Sequence, residues 1–178
     1  MNLSDFDYNL PKELIANSHA EPRDHSRLFV FDQENGGIEH KKFFEIIDYL
    51  DEDCVLVFNN SKVFKARIYG NKKTGGKIEL LLTRPTGEFS WESLVKGKVK
   101  AGDKIFFEDY IVCEVEESSD SIIKKVKFNR STKEIFNFLE KRGETPLPPY
   151  IDKDGSNEGN GFYQNVYADK VGSVAAPT

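Results

Sequence analysis

The chain has 178 residues, of which 38% are hydrophobic and 31% are charged, a balance typical of a soluble globular protein. No apolar run approaches the roughly 20 residues that cross a bilayer, and the acidic N-terminus lacks the pattern of a signal peptide. Cys54 and Cys113 stand in apolar runs, which predicts buried thiols, and the three histidines lack the spacing of metal ligands. We therefore predict a cytoplasmic protein without a metal.

The formal net charge of −5 conceals an uneven distribution. Residues 61–104 carry 11 Lys and Arg against 4 Asp and Glu, a balance of +7, and the rest of the chain carries −12. A basic region of this kind predicts a face that attracts phosphates. The alternative is that its lysines decorate turns and strand edges, where lysine blocks edge-to-edge pairing.

The first 60 residues alternate short helical and strand patterns. Residues 10–16 predict a helix, with Pro11 in its first turn. Residues 28–31 and 38–40 predict a hairpin around Asn35-Gly36-Gly37. Apolar residues have helical spacing at 43–50, and the continuous apolar run at 54–58 is typical of a strand buried on both faces.

The following region contains six short strand candidates, at 63–69, 77–83, 90–96, 104–107, 110–116 and 122–128. Regular short strands separated by turns predict a small antiparallel barrel or sandwich. Ser131 and Glu134 then form the capping box of a helix that Gly143 ends. These patterns divide the chain into residues 1–60 of an α/β domain, an inserted β-rich domain at 61–128, and a return to the α/β domain at 129–178.

The run at 70–77 contains three glycines and three lysines, yet it does not match a phosphate-binding loop. That motif requires Gly, Lys and then Ser or Thr at the start of a helix. Here Gly75-Gly76-Lys77 leads into a strand, so a tight turn is predicted.

A polar segment follows the apolar run at 54–58. Asn59, Ser61 and Lys62 stand at the carboxyl end of the predicted strand, where open α/β sheets bind ligands, and Arg67 follows closely. Amide and hydroxyl groups can bind a polar ligand, and the two cations can bind a carboxylate or phosphate. The alternative is a turn in which Asn and Ser satisfy local backbone groups.

Small residues dominate the segment 172–178, Gly-Ser-Val-Ala-Ala-Pro-Thr. Such a segment suits a loop whose backbone amides approach a ligand. The alternative is a frayed chain end.

Several motifs, taken in chain order, point to one family. They are Ser-Asp-Phe-Asp-Tyr-Asn-Leu-Pro at 4–11, Arg-Asp-His-Ser-Arg-Leu at 23–28, the polar segment 58–67, Thr-Gly-Gly-Lys-Ile-Glu at 74–79, residues 146–151, Tyr-Gln-Asn-Val-Tyr-Ala at 163–168, and the segment 172–178. Together they cover essentially the whole chain. The sequence resembles the S-adenosylmethionine:tRNA ribosyltransferase-isomerase family of the queuosine pathway.

The resemblance implies an α/β domain with an inserted antiparallel β-barrel, mostly β in this chain. It also implies transfer and isomerisation of the ribosyl moiety of S-adenosylmethionine onto 7-aminomethyl-7-deazaguanine at the tRNA wobble position, which gives epoxyqueuosine. S-adenosylmethionine is then a consumed cosubstrate rather than a permanently bound cofactor, and a monomer is expected. The alternative function is a non-catalytic RNA-binding module.

The resemblance also implies which residues line the site. The predicted substrate-binding residues are Asn59, Ser61, Lys62, Arg67, Ser173, Ala175, Ala176, Pro177 and Thr178. The basic region at 61–104, rather than the resemblance, supplies the predicted contacts to tRNA phosphates, which are Lys72, Lys73, Lys96, Lys98 and Lys100.

Two departures from the family pattern affect the expected activity. Asn60, Ser61 and Lys62 replace the family's usual Asp, Thr and Arg, and an amide at position 60 cannot act as a general base. No other residue is assigned that role. Family chains are longer and continue past the Ala-Ala-Pro-Thr motif, so we expect this chain to be a fragment that is inactive alone.

Overall fold

The structure, a computed structural model, describes residues 1–16, 18–117, 122–148 and 163–175. The chain divides into two compact units. Among the described residues, the N-terminal unit contains Met1–Val57, and the barrel unit contains Phe58–Pro148 together with residues 163–175. Every described residue of the predicted site belongs to the barrel unit.

The described part of the N-terminal unit contains one hairpin and four 3₁₀ helices. β1 (Arg27–Phe31) pairs antiparallel with β2 (Ile38–Lys42), and the intervening turn holds Gly36 at a φ of 73°, so the predicted hairpin is confirmed. The helices predicted at 10–16 and 43–50 are short 3₁₀ segments instead of α-helices. The four 3₁₀ helices span Leu3–Phe6, Lys12–Leu14, Arg23–His25 and Phe43–Tyr49.

The apolar run at 54–58 does not form the buried strand that its composition predicts. Val55 and Val57 are 86% and 91% exposed, and the run belongs to none of the described sheets. A strand needs hydrogen bonds from a neighbouring strand, and apolar composition alone does not supply that neighbour. The prediction of a buried thiol is therefore wrong for Cys54, which is exposed, and confirmed for Cys113, which is buried.

The first strand predicted in the barrel unit is divided into two. β3 (Ser61–Val63) ends before the barrel, and β4 (Arg67–Lys72) is its first strand. A tight turn joins β4 to the next strand, with the Lys72 N–H donating to the Gly76 carbonyl (2.9 Å) and Gly75 at a φ of 85°. The predicted turn is confirmed, and its left-handed backbone explains the glycine at position 75.

Six antiparallel strands close into a barrel. Its strands after β4 are β5 (Lys77–Pro85), β6 (Ser90–Lys96), β7 (Lys104–Phe106), β8 (Val112–Glu117) and β9 (Ile123–Phe128). Their order around the barrel is β4-β5-β6-β9-β8-β7, so that every strand has two hydrogen-bonded neighbours. Closure leaves no open sheet edge. The predicted antiparallel barrel in a mostly β chain is confirmed.

The inward-facing side chains of these strands form the core. Leu80 and Leu82 on β5 are completely buried, as is Trp91 on β6. Burial of one such side chain stabilises the fold by about 1.5–3 kcal/mol. Gly70 on β4 also faces inward, and a Cβ there would lie 2.8 Å from the Ile105 side chain, so the core permits only glycine at this position.

A helix and one further strand follow the barrel. α1 (Thr132–Arg142) begins at Ser131, whose N–H donates to Glu134 Oε2 (2.9 Å), so the predicted capping box is confirmed. Gly143 ends the helix as predicted, and a Cβ there would overlap the Lys65 carbonyl oxygen. The last described strand, β10 (Lys170–Ser173), pairs with β3.

Candidate functional site

The two polar segments predicted to line a pocket lie on adjacent strands. β3 and β10 pair in parallel, with Ser61 opposite Lys170 and Lys62 opposite Val171. The register shifts between Val171 and Ser173, and the Phe64 N–H then donates to the Ser173 carbonyl (3.1 Å). Segments that are far apart in the sequence therefore meet at a short parallel sheet, which we call the β3–β10 junction.

Internal hydrogen bonds organise the polar turn before β3. Asn59 Oδ1 accepts from both the N–H and the Oγ of Ser61, each at 2.7 Å. The Asn60 carbonyl accepts from the N–H groups of Asp169 (2.8 Å) and Lys170 (3.0 Å). Asn59 and Ser61 thus shape the turn, as in the alternative in which they satisfy local groups, and the Asn60 carbonyl holds the turn against the start of β10.

Gln164 binds the backbone of β3, a role that the sequence reasoning did not assign. Its Oε1 accepts from the Val63 N–H (2.9 Å), and its Nε2 donates to the Val63 carbonyl (2.6 Å). Asn165 Nδ2 donates to the Asn59 carbonyl (3.1 Å). The amide side chains of the Tyr-Gln-Asn-Val-Tyr-Ala motif are the only signal in the sequence that could have indicated this bridge.

The last described residues form a tight local structure beyond β10. The Ser173 hydroxyl donates to the Ala175 carbonyl (2.6 Å), and the Ala175 N–H lies 3.4 Å from that hydroxyl. Val174 packs against the barrel core and anchors the segment. Three further predicted site residues lie outside the described part of the chain: Ala176, Pro177 and Thr178.

The surface of the junction has two features that a ligand could use. At Gly172, the place where a Cβ would stand has no described atom within 4 Å, so the backbone there is accessible. Lys62 is exposed, and its ammonium makes no ion pair or hydrogen bond with the described residues. An accessible glycine backbone beside a cation can accommodate an anionic or polar ligand.

The polar contacts of Arg67 lie outside the β3–β10 junction. Its Nε lies 3.2 Å from Glu79 Oε1, an ion pair by distance but without hydrogen-bond alignment, and Nη2 donates to the Leu147 carbonyl (3.3 Å). Its backbone exchanges hydrogen bonds with Glu144. With a side chain only 16% exposed, Arg67 connects β4 to the chain that follows α1.

The predicted phosphate-binding lysines differ in exposure and in their distance from carboxylates. Lys72 Nζ donates to Asp103 Oδ2 (2.6 Å), and this bond, together with the Lys100 N–H, holds the pKa of Asp103 below its usual value. Lys96 is 86% exposed and lies 3.9 Å from Glu79. The side chains of Lys73, Lys98 and Lys100 are exposed and form no ion pair within 4 Å in the described structure, although the charge of Lys100 also helps to lower the pKa of Asp103.

The described residues contain neither a metal-binding cluster nor a membrane-spanning helix. No group of three or more His, Cys, Asp and Glu side chains in residues 1–16, 18–117, 122–148 and 163–175 is arranged to hold a metal ion. None of the described helices is long and apolar enough to cross a membrane.

The fold is that of a β-barrel protein. The polar segment at 59–62 and the small-residue segment at 172–175 meet beside the barrel, at the β3–β10 junction. A family model for queuosine biosynthesis proteins matches residues 3–178. The chain therefore belongs to this family, and the resemblance found in its motifs is confirmed.

Two curated relatives support the assignment by their sequences. An S-adenosylmethionine:tRNA ribosyltransferase-isomerase from Thermosipho melanesiensis is 49% identical over 100% of this chain and 52% of its own length. One from Sulfurihydrogenibium is 44% identical and is covered to 53%. The crystal structure of S-adenosylmethionine tRNA ribosyltransferase from Thermotoga maritima is 36% identical, with 83% of this chain and 52% of that chain covered and a TM-score of 0.42. The chain spans about half the length of the curated relatives it matches.

Proposed function

We propose that this chain supplies part of the site of a tRNA ribosyltransferase-isomerase, which transfers and isomerises the ribosyl moiety of S-adenosylmethionine onto 7-aminomethyl-7-deazaguanine at the wobble position of tRNA. The observation that carries the proposal is the β3–β10 junction. It places the exposed Lys62 and the accessible Gly172 backbone on paired strands. Family membership over residues 3–178 supports the same function.

The proposed ligand of the junction is S-adenosylmethionine. Its methionine carboxylate is an anion, and Lys62 is a cation without a carboxylate partner in the described structure. Asn59, Ser61 and Gln164 act as positioning residues, because their hydrogen bonds fix the backbone of β3. The Ser173 hydroxyl fixes the local shape of the small-residue segment through its bond to Ala175, and the Ser173 backbone joins that segment to the end of β3. We propose no general base among the described residues.

Calorimetric titration of the chain with S-adenosylmethionine tests this proposal. We expect binding, and we expect Lys62→Met to weaken it about tenfold, because a charge-assisted hydrogen bond contributes about 1.5 kcal/mol or more. Lys133→Met is the matched control, since Lys133 is an exposed lysine on α1, outside the junction. No heat of binding with the unmodified chain, or equal effects of the two substitutions, would contradict the proposal.

The chain alone is expected to bind without catalysing the reaction. About half of each curated relative lies outside the matched region, and no residue of this chain is assigned as the base. Adenine release from S-adenosylmethionine and a tRNA with the modified wobble base measures this. Turnover at the rate of a whole relative would contradict the expected inactivity.

The second candidate, a non-catalytic RNA-binding module, is favoured by the cationic segment of the barrel. The exposed ammonium groups of Lys73, Lys98 and Lys100 suit phosphate contacts. Salt-sensitive tRNA binding without calorimetric binding of S-adenosylmethionine would support this candidate over the first.

A further inference from the structure

The outer face of β4 carries exposed aromatic side chains. Residues of β4 alternate, with Ile68 and Gly70 facing the core and Tyr69 and Asn71 facing outward. Asn71 pairs with Phe106 of β7, which faces outward as well. Tyr69 is 52% exposed and Phe106 is 40% exposed. Diagonal neighbours on adjacent strands lie about 7–8 Å apart, so the two rings are within reach of one ligand.

Two grooves flank Tyr69 and Asn71 and share both residues. One, of about 440 Å³, runs over β5 and β6 and is also lined by Lys77, Glu79 and Lys96. The other, of about 720 Å³, runs towards β7 and is also lined by Lys73 and Phe106. We call this surface the β4 face. It combines two aromatic rings, one amide and several cations on the outside of a small barrel.

The carboxylates of the β4 face are all engaged by partners. Glu79 lies 3.2 Å from Arg67 Nε and 3.9 Å from Lys96 Nζ. Arg142 Nη1 pairs with Glu108 at 3.0 Å. Nearby, Asp103 pairs with Lys72 at 2.6 Å, and Glu144 accepts a hydrogen bond from the Tyr69 hydroxyl.

The cations that remain give the β4 face a positive charge. Lys73 and Lys77 are exposed and have no carboxylate within 4 Å in the described structure. Both lie at the turn that joins β4 to β5. Negative charge brought to this face therefore meets two available ammonium groups rather than existing ion pairs.

The orientation of Tyr69 is fixed by its hydroxyl group. The hydroxyl donates to Glu144 Oε2 at 3.2 Å. Partial burial and the nearby carboxylates of Glu144 and Glu79 raise the pKa of Tyr69, which favours the protonated hydroxyl that donates this bond. A ring held in place in this way loses little conformational entropy when a ligand stacks on it.

From these contacts we propose that the β4 face is a stacking platform for unpaired RNA bases. Tyr69 and Phe106 stack on bases, Asn71 hydrogen-bonds a base edge, and Lys73 and Lys77 bind the phosphates on either side. The combination of exposed aromatic rings with a cationic groove is the general chemistry of single-stranded nucleic-acid binding. The inference rests on the proposed function in one respect, since that function makes tRNA the substrate, and it assigns an unpaired loop of that tRNA to this face.

Anisotropy titrations of the chain with a fluorescently labelled tRNA anticodon stem-loop test the platform. Tyr69→Ala and Phe106→Ala are each expected to weaken binding about 5- to 150-fold, the range for loss of one base–aromatic stack. Tyr110→Ala is the matched control, because Tyr110 is an aromatic residue of the same barrel that is 90% exposed and lies outside both grooves. Tyr110→Ala is expected to leave affinity unchanged. Circular dichroism and thermal unfolding verify that each variant is folded.

The variants also separate stacking from charge. Tyr69→Trp, which keeps an aromatic surface, is expected to retain most of the affinity. Tyr69→Ala should leave the salt dependence of binding unchanged, whereas Lys73→Gln with Lys77→Gln should lower the slope of log K against log salt by about 2. A 2-aminopurine base in the loop should lose fluorescence on binding the unmodified chain and recover it with Tyr69→Ala.

The outcomes distinguish this inference from the proposed function. If the stem-loop binds and Tyr69→Ala has no more effect than Tyr110→Ala, the platform is overturned while the proposed function stands. If an acidic peptide with the same net charge as the stem-loop competes for binding as well as unlabelled RNA does, the platform is overturned in favour of a protein-binding face. Failure to bind S-adenosylmethionine in the calorimetric test contradicts the proposed function alone.

Discussion

The barrel unit and the N-terminal unit differ sharply in what they bury. In the barrel unit, Leu80, Leu82 and Trp91 are completely enclosed. In the N-terminal unit, no described residue among 1–16 and 18–57 is buried, and side chains such as Leu14 and Val57 are 70% and 91% exposed. Both regions contain runs of apolar residues. The difference lies in strand pairing, because the barrel gives each of its strands two neighbours and an enclosed inner face.

This contrast shows that apolar composition and burial are separate properties. The run at 54–58 is more continuously apolar than β5, yet it has no neighbouring strand among the described residues. Apolar side chains are removed from water only where backbone hydrogen bonds can also be satisfied, since an unpaired buried amide is costly. The functional chemistry follows the same division, because the β3–β10 junction and the β4 face both belong to the ordered barrel unit.

The largest expected difference between the units is in thiol reactivity. With a disulfide reagent at neutral pH, Cys54 should react as an exposed thiol. Cys113 should react roughly a thousandfold more slowly, because the reagent can reach it only after the barrel unfolds locally. Burial also raises the pKa of Cys113, so little thiolate forms in the folded state. The variant Cys54→Ser isolates the slow phase. Labelling of both thiols within a factor of ten would contradict the comparison.

The next effect is in stability. Leu80→Ala removes a buried side chain and should lower the free energy of unfolding of the barrel by about 2–5 kcal/mol. Leu14→Ala, the matched change in the N-terminal unit, should alter it by less than about 0.5 kcal/mol. Urea unfolding followed by the fluorescence of Trp91, the single tryptophan, reports on the barrel. Equal losses from the two substitutions would show that Leu14 is buried in solution.

The smallest effect is the response of the barrel to acid. The pKa of Asp103 is lowered in the folded state, chiefly by its bond to Lys72, so this pair stabilises the fold above the unfolded pKa of about 4. The contribution is lost as the pH falls through the lowered folded-state value. Asp103→Asn should therefore flatten the decline of the urea midpoint as the pH falls below about 4.

Lys72→Met is a second, independent test of this acid response. It removes the largest cause of the shift and should flatten the same decline. An unchanged pH profile in both variants would indicate that the pair does not persist in solution.

Local patterns were sufficient for much of the fold. The capping box at Ser131 and Glu134, the glycine turn at Gly75 and the hairpin around Gly36 are each determined by a few adjacent residues, and all were predicted. The apolar run at 54–58 was predicted wrongly, because its state depends on a partner strand. For the candidate site, the sequence indicated the segments at 59–62 and 172–175 but not the two hydrogen bonds of the Gln164 side chain to the Val63 backbone of β3. A side-chain amide that binds backbone far along the chain leaves no local pattern.

The sequence by itself determined the family, the strand-rich middle region and its positive charge, since these depend on residue identity and short-range periodicity. Only the tertiary structure decided which residues meet. It paired β3 with β10, engaged Arg67 and Lys72 with carboxylates, and placed Tyr69 and Phe106 on one outer face. These outcomes follow from strand register and barrel closure, which join residues distant in the chain through backbone hydrogen bonds that almost any residue can make.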